Sequence, residues 1–310
     1  MQINENAADP LVTAVIPTRN RPDIVCRAVR SALGQTYPNL EVVVVVDGPD
    51  PATISAFQSM TDSRIRVVSL AENKGGSSAR NAGVQAARGD WVALLDDDDE
   101  WLPGKITRQM ECARLSNARI PIVSGQVIAR SHSKDLIWPR KAPSYPISEY
   151  LLARNSWSYG EGLMQTSTLF VPRRFLLELP FTEGLLRFQD LDWVIRAAER
   201  PGVSIEFVAE PVTIWIQAEG RSSVSTRLDW RYSWNWIRSE REMITRRAYS
   251  GFIATQVAPQ AARQRAWRSI FPLLIDMFRN GSPSWFDVAI YISMWCAPPW
   301  VRQIARYSQR

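Results

Sequence analysis

"LEVVVVVD", residues 40–47, contains five consecutive valines and ends on an aspartate. Side chains of a strand point alternately to its two faces, so this run predicts a strand that is apolar on both sides. Strands of that kind lie inside sheets that are covered on both faces, as the parallel sheets of α/β proteins are. The stretch therefore predicts an inner strand of an α/β sheet.

The segments on either side alternate between strand and helix patterns. Short apolar runs predict strands at residues 11–18, 64–70 and 91–96. Apolar spacing and end signals predict helices at 21–35, 51–60, 76–89 and 103–115. Further helices are expected at 148–157, at 190–202 and in three tail segments, 228–249, 263–280 and 284–310, with a strand and then a helix within 163–180. This order favours β-α-β units on a mainly parallel sheet.

Composition excludes several classes of protein. A 45% hydrophobic content indicates a chain that folds around a core. Three widely separated cysteines do not form a disulfide framework and suit a reducing compartment, and no signal peptide is expected. The single histidine, His132, argues against a His/Cys zinc site and lies in no nucleophile-elbow pattern. Glycine-rich dinucleotide and P-loop fingerprints are absent from the sequence, which disfavours those enzymes.

An acidic run follows the fourth predicted strand, in "GDWVALLDDDDEW", residues 89–101. Taken alone, such a run is a solvated loop more often than a site. However, ligands of α/β sheets bind beyond the carboxyl ends of the strands, where Thr18, Asp47 and Lys74 should also gather. Clustered carboxylates without nearby histidine or cysteine favour Mg²⁺ or Mn²⁺. The pattern therefore indicates a cation-assisted site for a nucleotide diphosphate.

Four stretches together resemble the family-2 glycosyltransferases, inverting enzymes with the GT-A fold. They are "TAVIPTRNRPD" (13–23), "VVVVVDGPD" (42–50), "ENKGGSSARNAGV" (72–84) and "GDWVALLDDDDEW" (89–101). The resemblance covers roughly residues 11–225. It implies a GT-A-like, Rossmann-related mixed sheet with mainly parallel strands flanked by helices, followed by a C-terminal helical region.

The resemblance also implies roles for individual residues. Asp96-Asp97-Asp98 matches the D-x-D of the family, with Asp96 facing the ribose and Asp98 the metal, and Asp96 as a second metal ligand. Asp99 is expected to be only a helix-start charge. The implied donor contacts are Pro17, Thr18, Arg19, Asp47, Lys74, Arg80, Asp96 and Asp97. For Lys74 and Arg80, a loop cation and a helix-surface arginine remain the alternatives.

A second element of the family opens a helix with a Glu-Asp pair, whose aspartate is the catalytic base. Here the matching pair is Gln189-Asp190, which keeps the base at Asp190 and changes its neighbour. Helix-cap charges are the alternative reading of Asp190 and Asp192. In the segment 213–226, where some members carry a metal-binding histidine, this chain has none, and Glu219 is the weak candidate for a third ligand.

The C-terminal region is basic and rich in tryptophan. Residues 221–310 contain 14 arginines, five acids and seven of the 13 tryptophans. No apolar run there reaches the ~20 residues needed to span a bilayer. Short helices with apolar and arginine-bearing faces fit a membrane interface. Packing as ordinary core helices is the alternative, and the nucleotide-sugar site disfavours a nucleic-acid partner.

These observations predict two domains, a glycosyltransferase domain at 1–226 and a membrane-associating region at 227–310. Within the first, residues 11–116 form the nucleotide half and 117–226 the acceptor half. The expected activity is Mn²⁺- or Mg²⁺-dependent inverting transfer from a UDP-sugar to a lipid-linked saccharide in surface polysaccharide biosynthesis. The expected location is the cytoplasmic face of the membrane. A non-catalytic binding or assembly subunit, or another sugar-nucleotide enzyme such as a nucleotidyltransferase, remains open.

Overall fold

The computed structural model describes residues 9–131, 134–156, 161–216 and 229–296. The chain divides into two compact units. The first contains Met1–Trp138 and Met164–Glu219, and the second contains Pro139–Leu163 and Gly220–Arg310. Residues 139–163, assigned from sequence to the acceptor half, group with the C-terminal helices. The domain boundary near residue 226 lies outside the described residues and stays a prediction.

A mixed sheet lies at the centre of the first unit. Within the described residues its strands are β1 (Val12–Thr18), β2 (Leu40–Val46), β3 (Ile65–Ser69), β4 (Trp91–Leu94), β5 (Glu100–Trp101), β6 (Ile120–Arg130), β7 (Asp135–Trp138), β8 (Phe170–Pro172) and β9 (Val203–Ile216). The order is β3-β2-β1-β4-β8-β6-β9-β5, with β7 paired to β6. The β3-β2-β1-β4 block and the β6-β9 pair are parallel, whereas β5, β7 and β8 run antiparallel to their partners. The expected mixed α/β sheet is confirmed.

Helices flank this sheet in the order that the sequence predicts. They are α1 (Pro22–Leu33), α2 (Pro51–Gln58), α3 (Gly76–Ala86), α4 (Lys105–Leu115), α6 (Arg173–Glu178) and α7 (Gln189–Ala198). A 3₁₀ turn, Thr166–Thr168, precedes β8. The ends of the elements predicted up to residue 115 differ from the observed ends by at most three residues, and the short strand β5 was not predicted.

The valine run of β2 is buried on both faces, as predicted. Val42 and Val44 belong to the larger core cluster, which also contains residues of α1 and α4. Val43 and Val45 pack on the other face with Ala79 of α3. Because successive valines point to opposite faces, β2 packs against helices on both sides of the sheet.

Strand β6 is a long element that the sequence does not signal. It runs parallel to β9, with Ile120 paired to Val203 at one end and Arg130 paired to Ile216 at the other. The register shifts around Gly125 and Gln126. Proline and glycine both weaken a strand pattern, and this segment contains Pro121 and Gly125. The partner strand lies about 80 residues further along the chain, so a local pattern could not reveal the pairing.

The second unit is helical in its described part. It contains α5 (Ile147–Leu152), α8 (Trp230–Ser239), α9 (Arg246–Phe252), a π-helical turn (Ile253–Val257), α10 (Ala258–Arg263), a 3₁₀ turn (Trp267–Ser269), α11 (Ile270–Arg279) and α12 (Trp285–Cys296). One helix was expected over 228–249, and this is wrong: α8 ends at Ser239. The hydroxyl of Thr245 then accepts a hydrogen bond from the Ala248 N–H (3.1 Å), which begins α9. Among the helices described, none combines the length and apolarity required to cross a bilayer.

Helix α3 packs tightly against β1 at Gly83. A Cβ atom at this position would lie 2.3 Å from Cγ1 of Val15 and 3.1 Å from Cγ2 of Val45. We predict that Gly83→Ala destabilises the protein by about 1–3 kcal/mol through overpacking. This loss exceeds the gain of up to about 1 kcal/mol in helix propensity.

Urea unfolding of the variant measures this effect, and Val15→Ala completes a double-mutant cycle. Because Val15→Ala removes the methyl groups that clash, the double variant should be more stable than the sum of the single changes predicts. Strict additivity would contradict the close approach as the cause.

Candidate active site

The ends of β1, β2 and β4 bring polar side chains to one edge of the sheet, as the parallel topology requires. Asp47, directly after β2, is buried and accepts hydrogen bonds from the backbone N–H groups of Lys74 (2.7 Å) and Gly75 (2.9 Å). These bonds fix the loop that leads into α3. The side chain of Lys74 stays 54% exposed, with its ammonium 3.5 Å from Glu72.

The end of β1 contacts the acidic run directly. The Thr18 hydroxyl donates to Asp97 (2.8 Å), and Arg21 donates to the other oxygen of Asp97 at 2.9 Å. Arg21 also lies 3.5 Å from Asp98. Burial raises the pKa of Asp97, and the Arg21 charge opposes that rise. Pro17 is half-buried in β1, and Arg19 is exposed at its end.

Arg80 connects the acidic run to the start of α7. One Nη atom donates to Oδ1 of Asp96 (2.6 Å), and the other donates to Oε1 of Gln189 (2.6 Å). The guanidinium is largely buried and lies over the ring of Phe181, 5.7 Å from its centroid. The alternative of a helix-surface arginine is therefore wrong.

Asp190 lies beside this link, in the first turn of α7. One of its oxygens accepts the backbone N–H of Leu191 (2.9 Å), and the side chain is partly exposed. Desolvation raises the pKa of Asp190, the Asp96 charge raises it further, and Arg80 lowers it. The opposing effects of Asp96 and Arg80 show that Asp190 shares the electrostatic environment of the acidic run.

Asp192 has a different environment from Asp190. It is 3% exposed, accepts the Thr182 hydroxyl (2.8 Å) and pairs with Arg196 one turn later (2.8 Å). The first contact holds the start of α7 against the chain that precedes it, and the second is an i,i+4 pair within the helix. Asp192 is therefore a structural carboxylate.

Asp99 differs from its expected role as a helix-start charge, and that expectation is wrong. Helix α4 begins only at Lys105, and Asp99 is buried just before β5. It accepts hydrogen bonds from the Gln165 amide, from the Ser167 hydroxyl (2.6 Å) and from the backbone N–H of Ile216 (3.4 Å). Ser167 Oγ in turn accepts the N–H of Asp96 (3.0 Å). Asp99 thus anchors the acidic run to the segment before β8 and to the end of β9.

Three residues of this arrangement were not anticipated as site residues. Arg21 lies in the quoted stretch "TAVIPTRNRPD", directly after the first strand. A basic residue at that strand end was the signal that could have identified it. Gln165 and Ser167 carry no comparable signal. They lie 66 and 68 positions from Asp99 along the chain, and only the fold brings them to it.

The carboxylates of Asp96 and Asp98 suit a hard cation. Their side chains are 26% and 33% exposed, which is more than those of the buried Asp97 and Asp99. Among the described residues, no group of three or more His, Cys, Asp or Glu side chains is arranged to hold a metal. Mg²⁺, however, is commonly held by one or two carboxylates together with substrate phosphates. Glu219, the weak candidate for a third ligand, lies outside the described residues.

Comparison with known proteins identifies a family, several relatives and structures of similar fold. The family model described as Glycosyl transferase family 2 matches residues 13–179. The amylovoran biosynthesis glycosyltransferase AmsB of Erwinia amylovora is 29% identical over 76% of this chain and 79% of its own length. The succinoglycan biosynthesis protein ExoO of Rhizobium meliloti is 40% identical over 39% of this chain, and the match spans about a third (34%) of ExoO.

A third relative has a name that states its reaction. The Escherichia coli UDP-Glc:alpha-D-GlcNAc-diphosphoundecaprenol beta-1,3-glucosyltransferase WfaP is 36% identical over 32% of this chain and 40% of its own length. The matched regions of ExoO and WfaP thus cover well under two thirds of those proteins.

Solved structures resemble this chain in fold. Staphylococcus aureus TarS 1-349 in complex with UDP-GlcNAc gives a TM-score of 0.57 at 16% identity, over 92% of this chain and 79% of that one. The mannosyltransferase PcManGT from Pyrobaculum calidifontis, in complex with GDP-Man and Mn²⁺, gives 0.52 at 17% identity, over 93% and 88%. These similarities confirm the GT-A-like fold.

Substitution of Asp99 tests whether this residue anchors the acidic run. We predict that Asp99→Ala lowers the free energy of unfolding by about 1–3 kcal/mol, because the Gln165 amide and the Ser167 hydroxyl lose their acceptor in a buried site. Asp99→Asn is the matched control, since it keeps the shape and one acceptor oxygen and should lose less. Urea unfolding of both variants measures the difference. Equal stability of Asp99→Ala and the unmodified chain would show that Asp99 does not anchor the acidic run.

Proposed function

This chain belongs to glycosyl transferase family 2, and we propose that it transfers a sugar from a nucleotide-sugar donor to an acceptor hydroxyl with inversion at the anomeric carbon. A UDP-sugar is the favoured donor. The observation that carries the proposal is the double contact of Arg80. A single guanidinium holds Asp96 of the D-x-D and Gln189, the neighbour of Asp190, with both bonds at 2.6 Å. This link supports the assignment of the donor side and the candidate base to one site.

Residues around the strand ends supply the donor pocket in this proposal. Pro17, Thr18 and Arg19 line the nucleotide, and Asp47 faces the base. Asp47 already accepts two backbone N–H groups, and a carboxylate has lone pairs for a further donor. The exposed ammonium of Lys74 is suited to the pyrophosphate, with which it would form a charge-assisted hydrogen bond.

The acidic run contributes both rigidity and charge. Asp97 is held by Thr18 and Arg21, and we assign it a contact at the sugar side of the pocket. Asp98, with Asp96, would hold Mn²⁺ or Mg²⁺. Bound there, the cation would neutralise charge that develops on the departing diphosphate. The support for this assignment is the greater exposure of these two carboxylates beside their buried neighbours.

Asp190 acts as the base in this proposal. Its carboxylate takes the proton of the acceptor hydroxyl while that oxygen forms its bond to the anomeric carbon. The bond between that carbon and the diphosphate oxygen breaks on the opposite face, and the diphosphate leaves with the electron pair. A raised pKa makes a carboxylate a stronger base, and desolvation supplies that rise here. Gln189 cannot share a proton or a charge with Asp190, so its part is to orient Arg80.

The proposed acceptor is a lipid-linked saccharide of a surface polysaccharide. The names of AmsB and ExoO refer to polysaccharide biosynthesis, and that of WfaP specifies a UDP-glucose donor and a diphosphoundecaprenol-linked acceptor. By this proposal the chain works at the cytoplasmic face of a membrane, where its basic second unit meets the lipid surface.

The metal assignment predicts the behaviour of Asp98. Donor binding, measured by calorimetry with UDP-sugars, should require Mn²⁺ or Mg²⁺, and transfer should stop in EDTA. Asp98→Asn should abolish transfer and leave the unfolding curve unchanged. Asp90→Asn is the matched control, because Asp90 is exposed at the opposite end of β4 and should keep full activity. Undiminished transfer in EDTA would overturn the cation role.

The base assignment predicts two separable effects at Asp190. Asp190→Asn should reduce turnover by ~10² or more with little change in donor affinity. The native pKa of Asp190 is raised, so its ionised form costs stability as pH rises above the unfolded pKa. The Asn variant should therefore be as stable as the parent at pH 7, or more stable.

The pH profile and a second variant complete this test. Turnover should fall as pH decreases through the raised pKa of Asp190, because the base must be ionised. Asp192→Asn should give the reverse pattern, with lower stability from the loss of the Arg196 contact and retained turnover per folded molecule. Loss of donor binding in Asp190→Asn would assign Asp190 to helix capping instead.

A further inference from the structure

Helix α11 of the second unit exposes a row of large apolar side chains. Phe271, Ile275 and Phe278 are 72%, 62% and 54% exposed. They lie at positions i, i+4 and i+7 and so share one side of the helix. On the other side, Leu273 and Met277 are fully buried. The helix is therefore apolar toward the protein interior and apolar toward solvent.

The next helix along the chain, α12, carries further exposed apolar side chains. Its Trp285 and Ile292, seven positions apart, are 78% and 52% exposed. The Tyr291 hydroxyl donates to the Ile270 carbonyl (2.5 Å), which joins α12 to the start of α11. The ring of Trp267, itself 51% exposed, lies 5.8 Å from that of Trp295. We use the name apolar face for the six exposed apolar residues of this segment: Trp267, Phe271, Ile275, Phe278, Trp285 and Ile292.

The acids of these two helices point away from the apolar face. Asp276 accepts hydrogen bonds from the Trp234 indole (2.5 Å) and the Tyr249 hydroxyl (2.8 Å). Asp287 is completely buried and pairs with Arg247. These contacts neutralise or enclose the negative charge of α11 and α12 inside the unit.

Basic side chains, by contrast, remain on the outside of the same region. Arg265, Arg268 and Arg279 are exposed in the segment that carries α11. The exposed charges of this segment are therefore positive. A surface that combines exposed Trp and Phe with arginine complements an anionic lipid bilayer, in which the rings enter the interface and the guanidinium groups meet phosphates.

We infer that the apolar face is where this protein docks onto an anionic membrane surface. The described parts of α11 and α12 have 10 and 12 residues, fewer than a bilayer-spanning helix needs, so in this inference they lie along the interface. The inference rests on the proposed function for its purpose, because a bilayer-held acceptor requires an enzyme at the bilayer surface. It depends on none of the residues of the candidate active site.

Co-sedimentation of the full chain with vesicles tests the inference. We expect binding to phosphatidylglycerol-containing vesicles and much weaker binding to pure phosphatidylcholine. The triple variant Phe271→Ser, Ile275→Ser, Phe278→Ser should reduce the partition coefficient by about tenfold or more. The matched control replaces three exposed apolar residues of the first unit, Leu115→Ser, Ile137→Ser and Leu177→Ser, and should bind as the unmodified chain does.

A second variant separates charge from apolar contact. Arg265→Gln, Arg268→Gln, Arg279→Gln should lose most of the preference for anionic vesicles and show a weaker dependence on salt. Unchanged thermal unfolding of the variants confirms their fold. Equal vesicle binding by the apolar triple variant and the unmodified chain, or no binding by either, would overturn the inference.

The alternative occupant is a second copy of the chain, and light scattering distinguishes it. A dimer that the apolar triple variant converts to a monomer, with vesicle binding unchanged, would assign the face to self-association and overturn membrane docking. Two variants separate the docking inference from the proposed function. Asp98→Asn should bind vesicles normally, whereas the apolar triple variant should keep Mn²⁺-dependent donor binding.

Discussion

The buried guanidinium of Arg80 is the contact on which the candidate site depends. A buried charge is tolerated only where it is paired and hydrogen-bonded, and Arg80 meets this condition with Asp96 and Gln189. Removing either partner would leave a charge or a donor unsatisfied in a largely buried position. The requirement fixes three elements at once: helix α3, the loop after β4 and the first turn of α7. The distance between the donor side and the candidate base therefore follows from one side chain.

The same requirement explains how consecutive aspartates are tolerated. Like charges at this spacing raise each other's pKa unless each is stabilised separately. Asp96 is held by Arg80, Asp97 by Thr18 and Arg21, and Asp99 by Gln165 and Ser167. Asp98 is the more exposed member next to buried neighbours. The fold thus stabilises these carboxylates one by one, and the two more exposed ones, Asp96 and Asp98, are the pair proposed to hold the cation.

The second unit distributes polarity in an unusual way. Its acids Asp276 and Asp287 form hydrogen bonds inside the unit, whereas phenylalanine, isoleucine and tryptophan side chains face outward. In a water-soluble helix pair, the reverse distribution is expected. Large exposed apolar patches mark interaction surfaces, and in the membrane-docking inference the exposed arginines of the same segment favour an anionic partner. The inference about the partner therefore needs both features, the exposed apolar side chains and the exposed positive charge.

The sequence by itself determined the first half of the sheet, because its signals there are local. Five successive valines specify a strand buried on both faces, and the alternation with amphipathic helices specifies a parallel arrangement. Four motifs in the order typical of the family indicated the family and the candidate residues Asp96 and Asp98, and the pair Gln189-Asp190 indicated Asp190. Only the tertiary structure could show that Asp99 is an anchor, since Gln165 and Ser167 reach it from more than 60 positions away. It alone could also show which apolar side of α11 faces solvent, because a helix that is apolar on two sides has no periodicity that tells the inside from the outside.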